Sequence, residues 1–470
     1  MSHLRIFGHY IHTPYLMMAA AEAVIVAGAA YLGHFLRYQE FPGLWQHFIP
    51  ASSFALIVIV SMLAMGVYES RIREGYSGMM LRTGVAIFLL GSLATAVLSY
   101  ASQVLFMSRG ALLLSAGSAF VLIAVWRWLA FALVDDDALK KRVVVLGTGH
   151  RALKIASRMR RKSDQRAFTM LGFLPTHPQE SNLVSDYGAQ VLRPNLGLVD
   201  FCREYQVDEI VVAVDERRRG EGGGGLPLND LIECRLSGVN VCDVQQFVER
   251  ESCKVDVDLL RPGWLAFADG FVMRTRHRIL KRMFDLAASA LILLFTWPVM
   301  LLTAVAIRLE SRGPVIYRQE RVGMNGRPFE LMKFRSMIHA PDAEDTATWT
   351  RQNDPRVTRV GAFIRKTRLD ELPQLFNVLR GDMSFVGPRP ERPVFVAELS
   401  EKIPFYEQRH RVKPGITGWA QLCYPYGASV QDAKEKLQYD LYYLKNHSLL
   451  LDLIILLQTV EVVLVGEGAR

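Results

Sequence analysis

Cysteine is scarce in this chain and nowhere paired. Five cysteines occur in 470 residues, at 202, 234, 242, 253 and 423, with no Cys-x-x-Cys step and no metal-ligand spacing. That excludes a disulfide scaffold and a sequence-encoded zinc site, and it fits ordinary thiols in a reducing compartment. Acidic residues are also in deficit: 46 Asp and Glu stand against 55 Lys and Arg, a formal charge of +9. Such a balance suits anionic partners such as lipid headgroups or nucleotide phosphates. No basic motif is interleaved with aromatics and no zinc-finger spacing occurs, so nucleic acid is not expected among them. A signal-peptide pattern is missing too, because the first apolar run is long and lacks an obvious small-residue cleavage site.

Apolar residues are plentiful. They make up 50% of the chain, and the mean hydropathy is positive, at +0.15. Four long apolar runs, roughly 15–36, 48–68, 79–101 and 110–134, fill the first 134 residues. Each approaches the ~20 residues that a helix needs to cross a bilayer. One such run alone reads equally well as a buried core helix; four in succession read as a transmembrane bundle. Arg5 precedes the first run, Arg71, Arg73 and Arg82 surround the second loop, and Lys140, Lys141 and Arg142 follow the fourth run. The other two loops offer little beyond Arg37 and Arg109. This asymmetry puts both ends of the bundle in the cytoplasm.

After Asp135-Asp136-Asp137 the texture changes. "KKRVVVLGTGHRALKIASRM" reads as a buried strand, a Gly147-x-Gly149-x-x-Ala152 turn and a helix, and "VDEIVVAV" as a second buried strand. Residues 135–270 are therefore expected to form a Rossmann-like, CoA-binding-like α/β domain. A dinucleotide site also needs an acid at the next strand end for the ribose. Here that stretch is "LGFLPTHP", so a structural or regulatory domain is expected over an NAD site. Gly222 to Gly225 read as a loop.

Residues 271–470 open on a fifth apolar run, 284–307, with Pro298 near its middle. Both flanks are basic: Arg274, Arg276, Arg278, Lys281 and Arg282 before it, Arg308, Arg312 and Arg318 after it. A true span should have one poorly basic side. A helix that enters the membrane, breaks at Trp297-Pro298 and returns to the same face satisfies both observations; an ordinary kinked span is the alternative.

Further on stands "RLDELPQLFNVLRGDMSFVGPRP", residues 368–390. Leu372, Leu375, Phe376 and Leu379 recur at helical spacing. Asp370 fits an N-cap, Glu371 and Pro373 the first turn, and Gly381 the C-cap. The residues alone leave capping and catalysis equally open for the Asp370-Glu371 pair.

The segment from about 277 to 470 resembles the bacterial sugar transferase family, the polyprenyl-phosphate hexose-1-phosphate transferases. The likeness rests on "KRMFDLAASALILLFTWPVMLLTAVAIRLESRGPVIYRQERVGMNGRPFELMKFRSM", "RKTRLDELPQLFNVLRGDMSFVGPRP", "RHRVKPGITGWAQ" and "YDLYYLKNHSLLLDL". The bundle and Rossmann-like domain ahead of it resemble the large, three-part members that act on glucose or galactose. The opening "RIFGHYIHTPYL" is similar to exopolysaccharide-priming members linked to exosortase systems. Many members carry Ser-Pro at the membrane break; this chain has Trp297-Pro298.

The resemblance implies that Asp370 is a nucleophile and Glu371 a Mg²⁺ ligand. It marks Lys333 and Arg365 as phosphate contacts in the catalytic set. It also points to Arg389, clamped between Pro388 and Pro390, and to Arg411 and Asp440 as substrate-binding or positioning residues. A helix N-terminus at Asp370 would keep its carboxylate ionised. The implied activity is transfer of hexose-1-phosphate from a UDP-sugar to undecaprenyl phosphate at the cytoplasmic face of the bacterial inner membrane, with membrane lipid as a partner and room for a homodimer. UMP would be released and a covalent Asp-phosphosugar would form on the way. The rival is a membrane sensor or scaffold with an inactive transferase region; a glycosyltransferase releasing UDP is a second enzymatic alternative.

Overall fold

A computed structural model describes residues 3–6, 8–68, 76–133, 140–159, 168–177, 180–193, 195–215, 225–260, 268, 270–271, 275–338, 356–424, 427 and 429–465. Arg71, Arg73, Asp135 to Asp137, Gly222 to Gly224 and Arg274 lie outside the described residues. The chain divides into two compact units, Met1–Ile6 with Tyr10–Leu259, and Phe7–His9 with Leu260–Arg470.

Two short strands, β1 (His3–Ile6) and β2 (His9–His12), open the chain. The four apolar runs then form helices α1 (Thr13–Tyr38), α2 (Leu44–Ala64), α3 (Tyr76–Ala101) and α4 (Arg109–Leu133). Small residues let α1 and α4 approach closely, as is common between membrane helices. Ala29, Ala30, Ala116 and Ala119 are fully buried. A Cβ on Gly33 would lie 2.2 Å from the Ser115 hydroxyl. One charged pair is sealed in the bundle. Arg127 donates from Nε to Glu22 Oε1 (2.6 Å) and from Nη2 to Oε2 (2.8 Å), both side chains being 0% exposed. Thr83 accepts the third Arg127 contact (2.7 Å) and the Tyr68 hydroxyl donates to Glu22 (2.6 Å). Every polar group of the pair thus has a partner, which a low-dielectric interior demands.

The rest of the first unit is a four-stranded parallel sheet of β3 (Lys141–Leu146), β4 (Phe168–Leu174), β5 (Glu209–Val212) and β6 (Asn240–Asp243), in the order β4-β3-β5-β6. Its strands read as near-continuous apolar runs because both faces are covered. Val143, Val145 and Val211 face one apolar core and Val144, Ile210 and Val212 the other. Helices α5 (His150–Arg158), α6 (Leu198–Glu204), α7 (Leu228–Leu236) and α8 (Val244–Ser252) flank it. Strand order reverses between β3 and β5, the switch point where a doubly wound sheet ordinarily takes its ligand.

The second unit begins with α9 (Thr275–Glu310), 36 residues long. With α1 to α4 it makes five described helices long and apolar enough to cross a membrane. The sequence reading expects a break at Trp297-Pro298, but helical structure continues through Pro298. A proline removes one hydrogen bond and bends a helix without necessarily ending it. Both ends of α9 are tied down. Near its start Arg282 donates to the Val378 and Leu379 carbonyls (2.6 and 2.7 Å), and buried Asp285 accepts from Ser384 Oγ and Phe385 N (3.0 and 3.2 Å). At its end Ile307 packs with Phe334 and Ile364, and Glu310 accepts from the amides of Arg359 and Val360 (2.7 and 3.0 Å).

Then follow the antiparallel hairpin β7 (Ile316–Val322) and β8 (Pro328–Phe334), and helices α10 (Arg359–Lys366) and α11 (Gln374–Arg380). Strand β9 (Ser384–Val386) precedes helix α12 (Pro393–Lys402) and pairs in parallel with β10 (Gly415–Thr417). Helices α13 (Trp419–Cys423), α14 (Val430–Asn446) and α15 (Leu449–Val465) close the unit.

Candidate active site

Buried Asn377 is the hinge pin of the site. Its Oδ1 accepts from the Met332 amide (3.0 Å) and its Nδ2 donates to the Glu330 carbonyl (2.7 Å), which clasps α11 to β8. The clasp sets Lys333 opposite the turn ahead of α11. That turn corrects the expected N-cap. Asp370 and Glu371 lie in a 3-10 turn, Leu369–Glu371, entered through Arg368 at φ 59°. Helix α11 starts only after Pro373, and Gly381 ends it at φ 95°, as a C-cap glycine should.

Glu371 Oε1 meets three cations: Lys333 Nζ at 3.4 Å, Arg368 Nη1 at 3.6 Å and Arg389 Nη1 at 3.9 Å. Burial pushes Glu371 up, but Lys333, Arg389 and Arg368 outweigh it and hold the carboxyl below its usual range. Asp370 goes the other way. Burial and the neighbouring Glu371 raise it, against Lys333, Arg368 and Arg365. The expectation that a helix end keeps Asp370 ionised is therefore corrected. No helix end acts on Asp370, since α11 begins only after Pro373; burial lifts its carboxyl above the usual range against the surrounding cations. Burial likewise lowers Lys333, against the pull of Glu371.

Arg389 is aimed by its backbone. Gly387 N donates to Thr417 O and Gly415 N to Pro388 O (both 3.0 Å), so β10 holds the Gly387-Pro388 turn. Gly387 could not be another residue, since a Cβ would sit 2.2 Å from the Lys413 carbonyl. Buried Arg409 donates to the Arg389 carbonyl (3.1 Å) and to the Tyr406 hydroxyl (2.6 Å), and pairs with Asp440 at 2.8 Å. Asp440, 1% exposed, thus supports the turn from inside and is not open to a substrate. Arg321, Lys333 and Arg389 line one narrow cleft, with Gly415 and Ile416 behind.

The structure brings Asp370, Glu371, Lys333 and Arg389 together, with Arg365 near enough to act on Asp370. Arg411 is not gathered in: it is exposed, and its Nε donates to Gln408 (3.4 Å). Sequence reasoning missed Arg321, Arg368 and Arg409. Arg368 stands two residues before Asp370, a signal that was available; the other two are placed only by tertiary structure.

The glycine turn of the first unit is capped from within the chain. Asp215, at the switch point just past β5, accepts from the amides of His150 and Arg151 (2.7 and 2.8 Å), the first turn of α5. Glu180 accepts from the amides of Thr148 and Thr176 (2.9 and 2.6 Å). The amides that would cradle a pyrophosphate are taken by the chain's own carboxylates. A larger hollow of 240 Å³, lined in part by Cys202, Arg203 and Cys234, opens beside Val207 and Asp208, ahead of β5 and away from the switch point.

An acidic pair ringed by basic side chains thus sits in a unit that carries a helix long and apolar enough to cross a membrane. The chain belongs to the bacterial sugar transferase family, whose description matches residues 276–466. A CoA-binding domain description matches residues 63–219. The chain is 43% identical over 240 residues to an Aeromonas hydrophila UDP-N-acetylgalactosamine-undecaprenyl-phosphate N-acetylgalactosaminephosphotransferase, covering 51% of this chain and 56% of that one. It is 36% identical over 330 residues to a Komagataeibacter xylinus undecaprenyl-phosphate glucose phosphotransferase, 69% of this chain and 59% of the relative. A Caulobacter vibrioides UDP-glucose:undecaprenyl-phosphate glucose-1-phosphate transferase is 42% identical over 212 residues, 45% of this chain and 77% of the relative. The chain thus spans under two thirds of the first two relatives.

Proposed function

We propose that this protein transfers a hexose-1-phosphate from a UDP-sugar to undecaprenyl phosphate, the priming step of an exopolysaccharide, in the bacterial inner membrane. The observation that carries the reading is the Asp370-Glu371 pair under Lys333, Arg368 and Arg389, in a chain whose relatives are named for this chemistry. The Asp370 carboxylate attacks the sugar-bearing phosphorus of the UDP-sugar. A carboxylate–phosphorus bond forms, the diphosphate bridge breaks, and UMP leaves with the bridging oxygen. An oxygen of the lipid phosphate then attacks the same phosphorus and displaces Asp370. Splitting the transfer makes two easier displacements. Lys333, Arg321 and Arg389 bind the diphosphate and hold it in line with Asp370.

Mg²⁺ is commonly held by one or two carboxylates together with substrate phosphates. Glu371 suits that minimal set, and the ion would neutralise charge on the diphosphate.

The re-entrant course of α9 belongs to this reading, with both ends and the catalytic unit on the cytoplasmic side. Arg282 and Ile307 would stand about 38 Å apart on a straight helix, roughly 25 steps of 1.5 Å. Yet Arg282 holds Val378, beside Asn377, which grips Met332. Ile307 packs on Phe334, two residues along the same strand and about 7 Å from Met332. Contacts this close at both ends favour a helix that bends back. Such a helix would seat Asp370 at the depth where a lipid phosphate meets a soluble nucleotide.

The test uses UDP-glucose and UDP-N-acetylgalactosamine labelled in the β-phosphate. Without lipid, wild type should release UMP and retain label on protein; Asp370→Asn should do neither. Release of UDP, or equal labelling of the mutant, would overturn the mechanism.

A further inference from the structure

The stretch "RIFGHYIHTPYL" has no part in the chemistry above, yet Gly8 and His9 belong to the catalytic unit. His9 is 7% exposed. Its Nδ1 lies 3.0 Å from the Tyr442 hydroxyl. Its ring meets Trp419 edge-on (centroids 5.6 Å apart) and Tyr442 likewise (6.0 Å), while Trp419 and Tyr442 stack on each other at 6.1 Å. Gly8 lies against Asn446, where a Cβ would be 3.4 Å from Oδ1.

The two rings that His9 touches are informative. Trp419 follows β10 by one glycine, and β10 carries the bonds that hold the Gly387-Pro388 turn. A Cβ on that glycine, Gly418, would be 2.2 Å from the Gly387 carbonyl, so α13 presses directly on the turn. Tyr442 is on α14, two residues from Asp440, which steadies Arg409 and through it the Arg389 carbonyl. Its neighbour Tyr443 donates to the Val386 carbonyl (3.1 Å). His9 therefore wedges the two elements that back the Arg389 turn, from a position more than 250 residues earlier in the chain than the rest of its unit.

We propose that His9 is a positioning residue for donor binding: it locks Trp419 and Tyr442 together and so fixes the Pro388-Arg389-Pro390 turn that receives the UDP-sugar diphosphate. The proposal rests on the transferase reading for the identity of the donor. A histidine suits the place because one flat ring offers a hydrogen-bonding nitrogen to Tyr442 and an edge to Trp419 at once. An aliphatic residue could fill the volume but not bond the hydroxyl.

The full-length protein in detergent is titrated with UDP, the moiety common to the donors, by calorimetry. His9→Ala and Tyr442→Phe should weaken UDP about fivefold, the effect of one lost buried hydrogen bond. His9→Asn keeps a hydrogen-bonding atom near the place of Nδ1 and should restore most of the affinity. Tyr442→Phe removes only an oxygen and guards against misfolding. Equal affinity across the series, with loss confined to the melting temperature, would reduce His9 to a packing contact and overturn the proposal; so would wild type that binds no UDP. Turnover of UDP-glucose and UDP-N-acetylgalactosamine is run alongside. A wild type that binds UDP but turns over neither sugar counts against the transferase reading, while the UDP series still decides the role of His9.

Discussion

Arg409 and Asp440 meet at 2.8 Å inside the catalytic unit, one 5% and the other 1% exposed. Burial pushes Asp440 up to about 6 against the pull of Arg409. Removing one partner of such a pair costs roughly 3–5 kcal/mol, because the other is left charged and alone. Asp440→Asn and Arg409→Met should each lower the melting temperature markedly and reduce transfer. The double change Arg409→Met with Asp440→Leu should melt higher than either single variant. Purely additive losses in that cycle would show that the pair is not coupled.

Lys333 is the cation nearest Glu371 and also acts on Asp370. Lys333→Gln removes the charge and keeps much of the stem. With a like charge no longer offset, both carboxyls should titrate higher. Transfer should fall by about a hundredfold, the scale of one lost charge-assisted contact in an active site. Steady-state rates with each UDP-sugar measure it; a change under threefold would remove Lys333 from the site.

His410 offers a pH test. Burial and adjacent Arg409 push it down to about 4, from an ordinary 6.5. Between those values the unfolded chain binds a proton that the folded chain refuses. Stability is thus complete above pH 6.5 and drains as pH falls toward 4. Melting curves of wild type and His410→Gln should converge with falling pH, wild type losing more. Parallel curves would mean that His410 charges freely in the fold.

Topology is tested with single cysteines at Arg278 and Arg312, in a background without the native five. Both positions should be shielded from an impermeant reagent added from the periplasmic side, and both should react in inverted vesicles. Labelling of 312 alone from outside would mean that α9 runs straight through the bilayer.

The glycine turn predicts an absence and a cost. Purified full-length protein should carry no stoichiometric NAD or CoA and show no melting shift with either. Asp215→Ala should destabilise the first unit by about 1 kcal/mol, the usual loss for a helix cap. Gly149→Ala should cost about as much, since its Cβ, 2.2 Å from Asp215 Oδ2, would push that carboxylate off the same amides. Retained CoA or NAD in wild type would show that the carboxylates yield to a ligand.

Periodic, local signals were legible in the sequence. The apolar runs became α1 to α4 because a span of such residues has little choice in a bilayer, and Gly381 ended α11 as its φ demands. The motif residues also lie side by side: Lys333, 38 positions from Glu371, meets it across the Asn377 clasp. The failures were tertiary. Asp370 looked like a cap, yet the left-handed Arg368 turned the chain into a 3-10 step. The acid missing after "LGFL" was sought for a ribose, whereas Glu180 and Asp215 fold back onto the turn from two different loops. Arg411 matched a motif but faces outward, and its neighbour Arg409 took the interior place. Nothing in a one-dimensional pattern distinguishes those two arginines.

The Glu22–Arg127 pair has a consequence for biosynthesis. Its two halves are 105 residues apart. At about 5–20 residues per second on the ribosome, the Glu22 carboxylate waits on the order of ten seconds for its guanidinium. During that interval α1 is a poor lodger in hydrocarbon, because a lone acid in a span is costly. Tyr68, just past α2, gives Glu22 its first hydrogen bond, and its counter-charge comes only with the fourth helix.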